Sequence, residues 1–138
     1  LGRGQGTFVT RDGRSGKLAA LCYHYPDEVT SAVPVSRPDR DAAEKTAATG
    51  GPAKVTIQLT GLDPQAPVLV ETLDRDHGSV VESWLDGGAP HSPNRRLAKT
   101  LSARAWATRR TIDAADESGA LGFSVEVKPW TVLLVREL

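Results

Sequence analysis

Methionine is missing from the whole chain, position 1 included, cysteine occurs once, and aromatic side chains make up only 5% of the 138 residues. A translated reading frame starts with methionine, so the chain is expected to be a processed or cut piece of a longer polypeptide. With Cys22 alone, no internal disulfide can form, and its place in an apolar run points to a buried, inert thiol. That usage leaves the compartment open between cytoplasmic and secreted. Net charge is also missing: 17 Lys and Arg balance 17 Asp and Glu, which leaves no field to steer the chain to nucleic acid or to an anionic membrane. No apolar run nears the roughly 20 residues of a membrane-spanning helix, and there is no signal-peptide core. The expectation is one soluble domain over 1–138, with no nucleic-acid or membrane partner.

What is there reads mostly as strand and turn. Residues 1–6 are rich in glycine, but the strand and helix that a phosphate-binding loop needs around them are absent. Strands are predicted over 7–11 and 17–25, joined as a hairpin by the Asp12-Gly13 turn signal. In the second of these, Leu18, Ala20, Cys22 and His24 share one face and Ala19, Leu21, Tyr23 and Tyr25 the other, both largely apolar, as suits a central strand. The prolines, charges and Gly-Gly pair of 26–52 predict a long surface loop, with a short exposed helix conceivable over 37–45. Period-two alternation returns at Val55, Ile57 and Leu59, and again at Leu121, Phe123, Val125 and Val127. Further strands are predicted over 68–73, 106–112 and 131–135, the last a continuous apolar run typical of a strand covered on both faces. The pattern implies a mainly β chain, an antiparallel β-sandwich of about seven to nine strands with one or two short helices inserted.

The insertion falls in 74–93, where the strand pattern lapses and two of the three histidines collect. Ser79 and Glu82 have the spacing of a capping box, so a helix is predicted to start there, with Val80, Val81, Trp84 and Leu85 on one side and Gly87-Gly88 at its end. Ser92 as cap and Pro93 as first helical residue predict a second helix with Leu97, Leu101 and Ala105 as its apolar stripe.

Asp74, His77, Trp84, Gly88, Pro90 and Pro93 together resemble a segment that follows the barrel in glycoside hydrolase family 39, the family of β-xylosidases and α-L-iduronidase. There it reads Asp-x-x-His-Ser-Asn-x-Tyr-x-x-Trp and then Met-Gly-Ser-Pro-Gln-x-Pro, without a gap against this chain. The stretch from Gly13 to Tyr25 is similar to the family's Gly-x-Leu-x-Val-Leu-Leu-Tyr-Asn-Tyr strand, and 128–134 to its closing Pro-Pro-His-Ser-Val-x-Leu-Leu. Gly78, Ser79, Val81, Gly87 and His91 depart from the family's residues. The resemblance implies a β-sandwich that accompanies a catalytic (β/α)8 barrel carrying the two glutamates of a retaining glycosidase. The acid/base glutamate of the family follows an asparagine, whereas the single asparagine here, Asn94, precedes Arg95. The implied role is therefore a non-catalytic accessory domain, partnered by the barrel of its own parent chain and supporting the substrate cleft or a subunit contact, homo-oligomers included.

Sharper chemistry has little to stand on. Asp74, Asp76 and His77 could begin a metal site, but no second ligand pair follows, and hydrogen bonding to backbone amides or to each other at the strand-to-helix turn is the simpler use. No metal and no cofactor is expected. There is no Gly-x-Ser-x-Gly nucleophile elbow. The alternative is a carbohydrate-binding or protein-interaction sandwich, for which Trp130 and Trp106 are the candidate sugar contacts and Trp130, beside Pro129, the most exposed ring. Exposed coplanar rings would favour it, and buried rings would favour core packing.

Overall fold

The computed structural model describes residues 3, 4, 6–26, 41, 45, 48–106 and 108–138. Most of the loop expected over 26–52, with the helix conceivable over 37–45, lies outside these residues. The described chain is an antiparallel β-sandwich with two helices between its strands. In order it runs β1 (Arg3–Gly4), β2 (Thr7–Arg11), β3 (Leu18–His24), β4 (Ala53–Thr60) and β5 (Pro67–Leu73). Helices α1 (Val81–Asp86) and α2 (Arg95–Ala105) follow, then β6 (Arg109–Ala114), β7 (Ala120–Val127) and β8 (Thr131–Glu137). Among the described residues, one sheet has six strands in the order β1-β2-β3-β8-β5-β6, and the other has β4 and β7.

The alternation in the sequence decides which side chains meet between the sheets. From the large sheet come Ala20 and Cys22 of β3, Leu133 and Val135 of β8 and Val68 of β5. From the small one come Ile57, Leu59, Leu121 and Val127. Val68 and Val135 are wholly shielded, and each such side chain contributes about 1.5–3 kcal/mol on burial. A one-residue slip would turn this set to the outside, so the register is firmly specified. Val135 accordingly lies between Ala20 on one side and Val70 on the other.

A buried carboxylate closes one end of the sandwich. Glu137 accepts hydrogen bonds from the backbone N–H of Leu18 (3.2 Å) and of Asp63 (2.8 Å), tying the start of β3 and the β4–β5 loop to the last strand. At the loop opposite, Gly119 has φ +74°, and a Cβ there would run into the Leu62 carbonyl, so only glycine fits.

Three local expectations differ from what forms. The strand expected over 106–112 starts at Arg109 because α2 continues to Ala105 and Trp106 is its C-terminal cap. The capping box at Ser79 does not close: α1 begins at Val81, Val80 precedes it without a side-chain cap, and Glu82 instead pairs with Arg75. The second helix is capped by Asn94, whose Oδ1 accepts from Leu97 N–H at 2.9 Å, two residues beyond the Ser92 cap expected.

Candidate functional site

The chain leaves β5 through a tight turn built on one carboxylate. Asp74 Oδ1 accepts from the N–H of Asp76 (2.8 Å), the N–H of His77 (2.7 Å) and the ring Nδ1 of His77 (2.9 Å). The last contact assigns the imidazole proton to Nδ1. The backbone closes the same turn, with Asp74 N–H donating to the His77 carbonyl at 2.9 Å. Gly78 follows at φ +79°, where a Cβ would sit 2.5 Å from a Leu73 methyl and 2.9 Å from that of Thr108. Glycine is therefore required at this position, one of those that depart from the segment the chain resembles.

Beyond the turn the motif residues fold back on one another. Trp84, on α1, donates its indole N–H to the Pro90 carbonyl at 3.1 Å, pinning the helix to the strap that follows it. Gly88, at φ +86°, ends α1: its N–H bonds to the Leu85 carbonyl and that of Ala89 to the Trp84 carbonyl, both at 2.9 Å. This is the pairing of a Schellman stop, which satisfies carbonyls that a helix end otherwise leaves open. Pro93 is exposed just before Asn94, where its ring fixes φ at the entry to α2. Gly87 lets the two helices approach, since a Cβ there would come within 2.9 Å of both Leu97 methyls. Arg104, in the last turn of α2, reaches back to the Asp76 carbonyl at 3.4 Å.

A cleft of about 330 Å³ opens between the inner faces of β5 and β6 and the edge of β7, with the turn at its mouth. Val70, Phe123 and Leu133 line its floor and Asp74, Asp76 and Lys128 its rim. Asp76 pairs with Lys128 at 2.8 Å, and that hydrogen bond, reinforced by the charge, holds the Asp76 carboxyl below its ordinary value and the Lys128 ammonium above its own. Asp76 is thus ionised at neutral pH and can accept a proton but not supply one, which does not suit a general acid. Asp74 is occupied by three donors. Among the described residues, no group of three or more His, Cys, Asp and Glu side chains is placed to hold a metal ion.

The two candidate sugar-binding tryptophans fall in different places. Trp106 is the more exposed, at 77%, at the end of α2. Trp130, expected to be the exposed ring, is half-buried at φ +68° in the β7–β8 turn, because its ring packs on Tyr25 with centroids 5.4 Å apart. Tyr25 in turn contacts Tyr23, and Tyr23 contacts Phe8. Successive planes along this row tilt by 26°, 38° and 50°, so the rings do not form one flat platform.

No family model and no curated protein matches the sequence. Solved structures match its fold along nearly its entire length. A monomeric β-xylosidase from Caulobacter crescentus CB15 aligns at TM-score 0.60 and 18% identity, covering 97% of this chain and 26% of its own. The GH39 enzyme from Xanthomonas axonopodis pv. citri aligns at 0.61 and 17%, covering 95% and 25%. A bacterial orthologue of human α-L-iduronidase aligns at 0.59 and 16%, covering 95% and 21%. The chain thus has the fold of one portion of these proteins and spans about a quarter of their length.

Proposed function

We propose that this chain is the non-catalytic β-sandwich of a family 39 glycoside hydrolase of the β-xylosidase type, whose catalytic glutamates lie on a (β/α)8 barrel elsewhere in the same polypeptide. The observation that carries the reading is the lopsided coverage: 97% of this chain against 26% of a β-xylosidase. The motif that resembles the family supports it, because Asp74 and His77 bond to each other in the turn, Trp84 bonds to Pro90 around the helix stop at Gly88, and Arg75 paired with Glu82 ties the turn to that helix. The corner's work is structural. It fixes how α1 and α2 leave the sheet and presents them toward the barrel or a neighbouring subunit.

The incomplete second sheet fits a part taken from a larger whole. Among the described residues β4 and β7 pair only with each other, so alternate N–H and C=O groups along both outer edges find no strand partner. Opposite them every residue of β6 is exposed, the inward-facing Arg109, Thr111 and Asp113 among them.

The test separates support from chemistry in the full polypeptide. With a nitrophenyl β-xyloside as substrate, Asp74→Ala, Asp76→Ala and His77→Ala are expected to lower thermal stability while the folded fraction keeps kcat within about threefold, since none of these groups touches the reacting atoms. A hundredfold loss of kcat in a variant that remains folded would move the catalytic apparatus into this domain and overturn the reading.

A further inference from the structure

The charges that balance over the whole chain do not balance along it. No Asp or Glu lies between Asp86 and Asp113, whereas six Lys and Arg do. Four of these, Arg95, Arg96, Lys99 and Arg104, belong to α2, none of whose residues is fully buried. Contacts fix the inner side of the helix: Leu97 lies against Gly87, Leu101 is half-buried one turn on, and Arg104 reaches the Asp76 carbonyl. Helical spacing therefore sends Arg95, Lys99, Ser102 and Trp106, at i, i+4, i+7 and i+11, to the opposite side in one line. Trp106 keeps helical dihedrals as the C-terminal cap and so stays in that line. All four side chains are exposed, Trp106 at 77%, and the line spans about 16 Å.

This arrangement works against the helix that carries it. A helix that is merely solvated mixes its signs, so that side chains four residues apart attract each other. Arg95 and Lys99 have that spacing and like charge. Arg95 and Arg96 also occupy the first turn, where the aligned peptide dipoles favour a carboxylate and where α2 has no acidic side chain. Among the described residues, Arg95, Arg96 and Lys99 enter no ion pair and the Trp106 ring stacks on no other ring. We propose that this side of α2 binds a polysaccharide bearing carboxylate groups. The guanidinium forks and the Lys99 ammonium pair with uronate carboxylates, and the indole lies flat on a sugar ring. The choice of a sugar polymer rests on the glycosidase reading above, whereas its acidity follows from the charges alone. A bilayer suits the surface less well, because Leu97 and Leu101 face inward and the outer line offers lipid a single ring. A single-stranded nucleic acid stacks its successive bases on several rings, and this line has one.

Affinity electrophoresis of the full polypeptide tests this, in gels containing a xylan with glucuronic acid side groups or the same xylan after reduction of its carboxyls to alcohols. The acidic xylan is expected to bind about tenfold more tightly than the reduced one, with the difference shrinking as salt is raised. Arg95→Gln combined with Lys99→Gln should weaken binding of the acidic xylan about tenfold, and Trp106→Ala should do the same. Lys17→Gln combined with Lys54→Gln changes the net charge equally at exposed positions elsewhere and should cost less than about twofold. The Arg95, Lys99 double variant removes a like-charged pair and should keep or raise Tm, so that lost binding is not lost folding. The comparison of the two xylans needs no variant, and a substitution that fails to fold does not decide the outcome. Equal affinity for the two xylans, or an equal loss in the control variant, overturns the proposal. So does binding of duplex DNA or of phosphatidylglycerol vesicles as tightly as acidic xylan and through the same residues, which would assign the surface to polyanions at large. A polypeptide that binds acidic xylan through this surface but does not hydrolyse a nitrophenyl β-xyloside upholds the proposal and refutes the glycosidase reading, whereas hydrolysis without such binding does the reverse.

Discussion

Replacing Asp74 by alanine removes one acceptor and leaves three donors without it. The Asp76 and His77 amides and the His77 ring all converge on its Oδ1 within 2.7–2.9 Å, and its side chain is 15% exposed. A hydrogen bond to a charged group is worth about 1.5–3 kcal/mol when shielded and less where the donor can return to water. Asp76 is exposed and its amide rehydrates, while His77 is half-buried and rehydrates only in part. Discounting the three bonds on that basis gives a loss of about 2–3 kcal/mol, or ~5–10 °C in Tm for a chain of this length. Asp74→Asn keeps an acceptor oxygen for the two amides and loses the charge, so it should recover about half of that. His77→Ala removes one bond of the three and should cost ~1 kcal/mol. The assay is thermal and urea denaturation, followed by circular dichroism and by the fluorescence of Trp84, whose indole reports on the strap through Pro90. A double-mutant cycle on Asp74 and His77 then isolates their coupling. If Asp74→Ala lies within ~0.5 kcal/mol of the parent, the turn does not depend on this carboxylate and the reasoning fails.

Other substitutions probe other parts of the same account. Gly88→Ala should cost ~1 kcal/mol from its positive φ alone, as open space surrounds the position, and Gly87→Ala should cost more because its methyl would collide with Leu97; equal effects would argue against close packing of the two helices. Glu137→Ala should destabilise by about 2–4 kcal/mol by orphaning the Leu18 and Asp63 amides, and a neutral result in urea titration would contradict the closure assigned to it. Thr108 and Arg110 hold the Glu71 carboxyl below its ordinary 4.5, the hydroxyl of Thr108 first, so this stabilisation is present above about pH 4.5 and is lost as the pH falls through the lowered value. Thr108→Val should accordingly be less stable than the parent at pH 7, with the gap closing toward pH 3; a gap independent of pH would refute the linkage. Replacing 79–94 by a short linker in the full polypeptide should lower stability or hydrolysis, and no change in either would leave the helical excursion without the supporting role given to it.

Much of the sandwich is legible in the sequence because period-two alternation is a local signal. Val55, Ile57 and Leu59, and Leu121 through Val127, announce half-buried strands without help from the rest of the chain. Helix starts are less legible, because partners compete for the same groups. Ser79 and Glu82 have capping-box spacing, yet Glu82 is taken by Arg75, a charged neighbour whose approach depends on the turn at Asp74. Asn94 is a cap by residue type, with Leu97 three residues on, but Ser92-Pro93 offered an equally good local signal. Trp106 looked like the start of a strand because aromatics favour sheets, and only the length of α2 makes it a helix cap. The exposure of Trp130 could not be read locally either, since Tyr25, which shields it, lies more than a hundred residues earlier in the chain. At the candidate site, Asp74, His77, Trp84, Gly88, Pro90 and Pro93 are legible only through the family resemblance. The need for glycine at Gly78, by contrast, is a matter of φ and of Leu73 and Thr108 closing in, which no pattern of residue types carries.

The central claim is that this sandwich serves a catalytic body encoded in the same frame, and reading the source DNA upstream of Leu1 tests it most directly. The account predicts an uninterrupted frame encoding eight alternating strand and helix units, with an Asn-Glu acid/base late in one strand and a second glutamate further on. A start codon within a few residues of Leu1, with no such barrel joined to it, would contradict the account and make the chain an autonomous binding or interaction module.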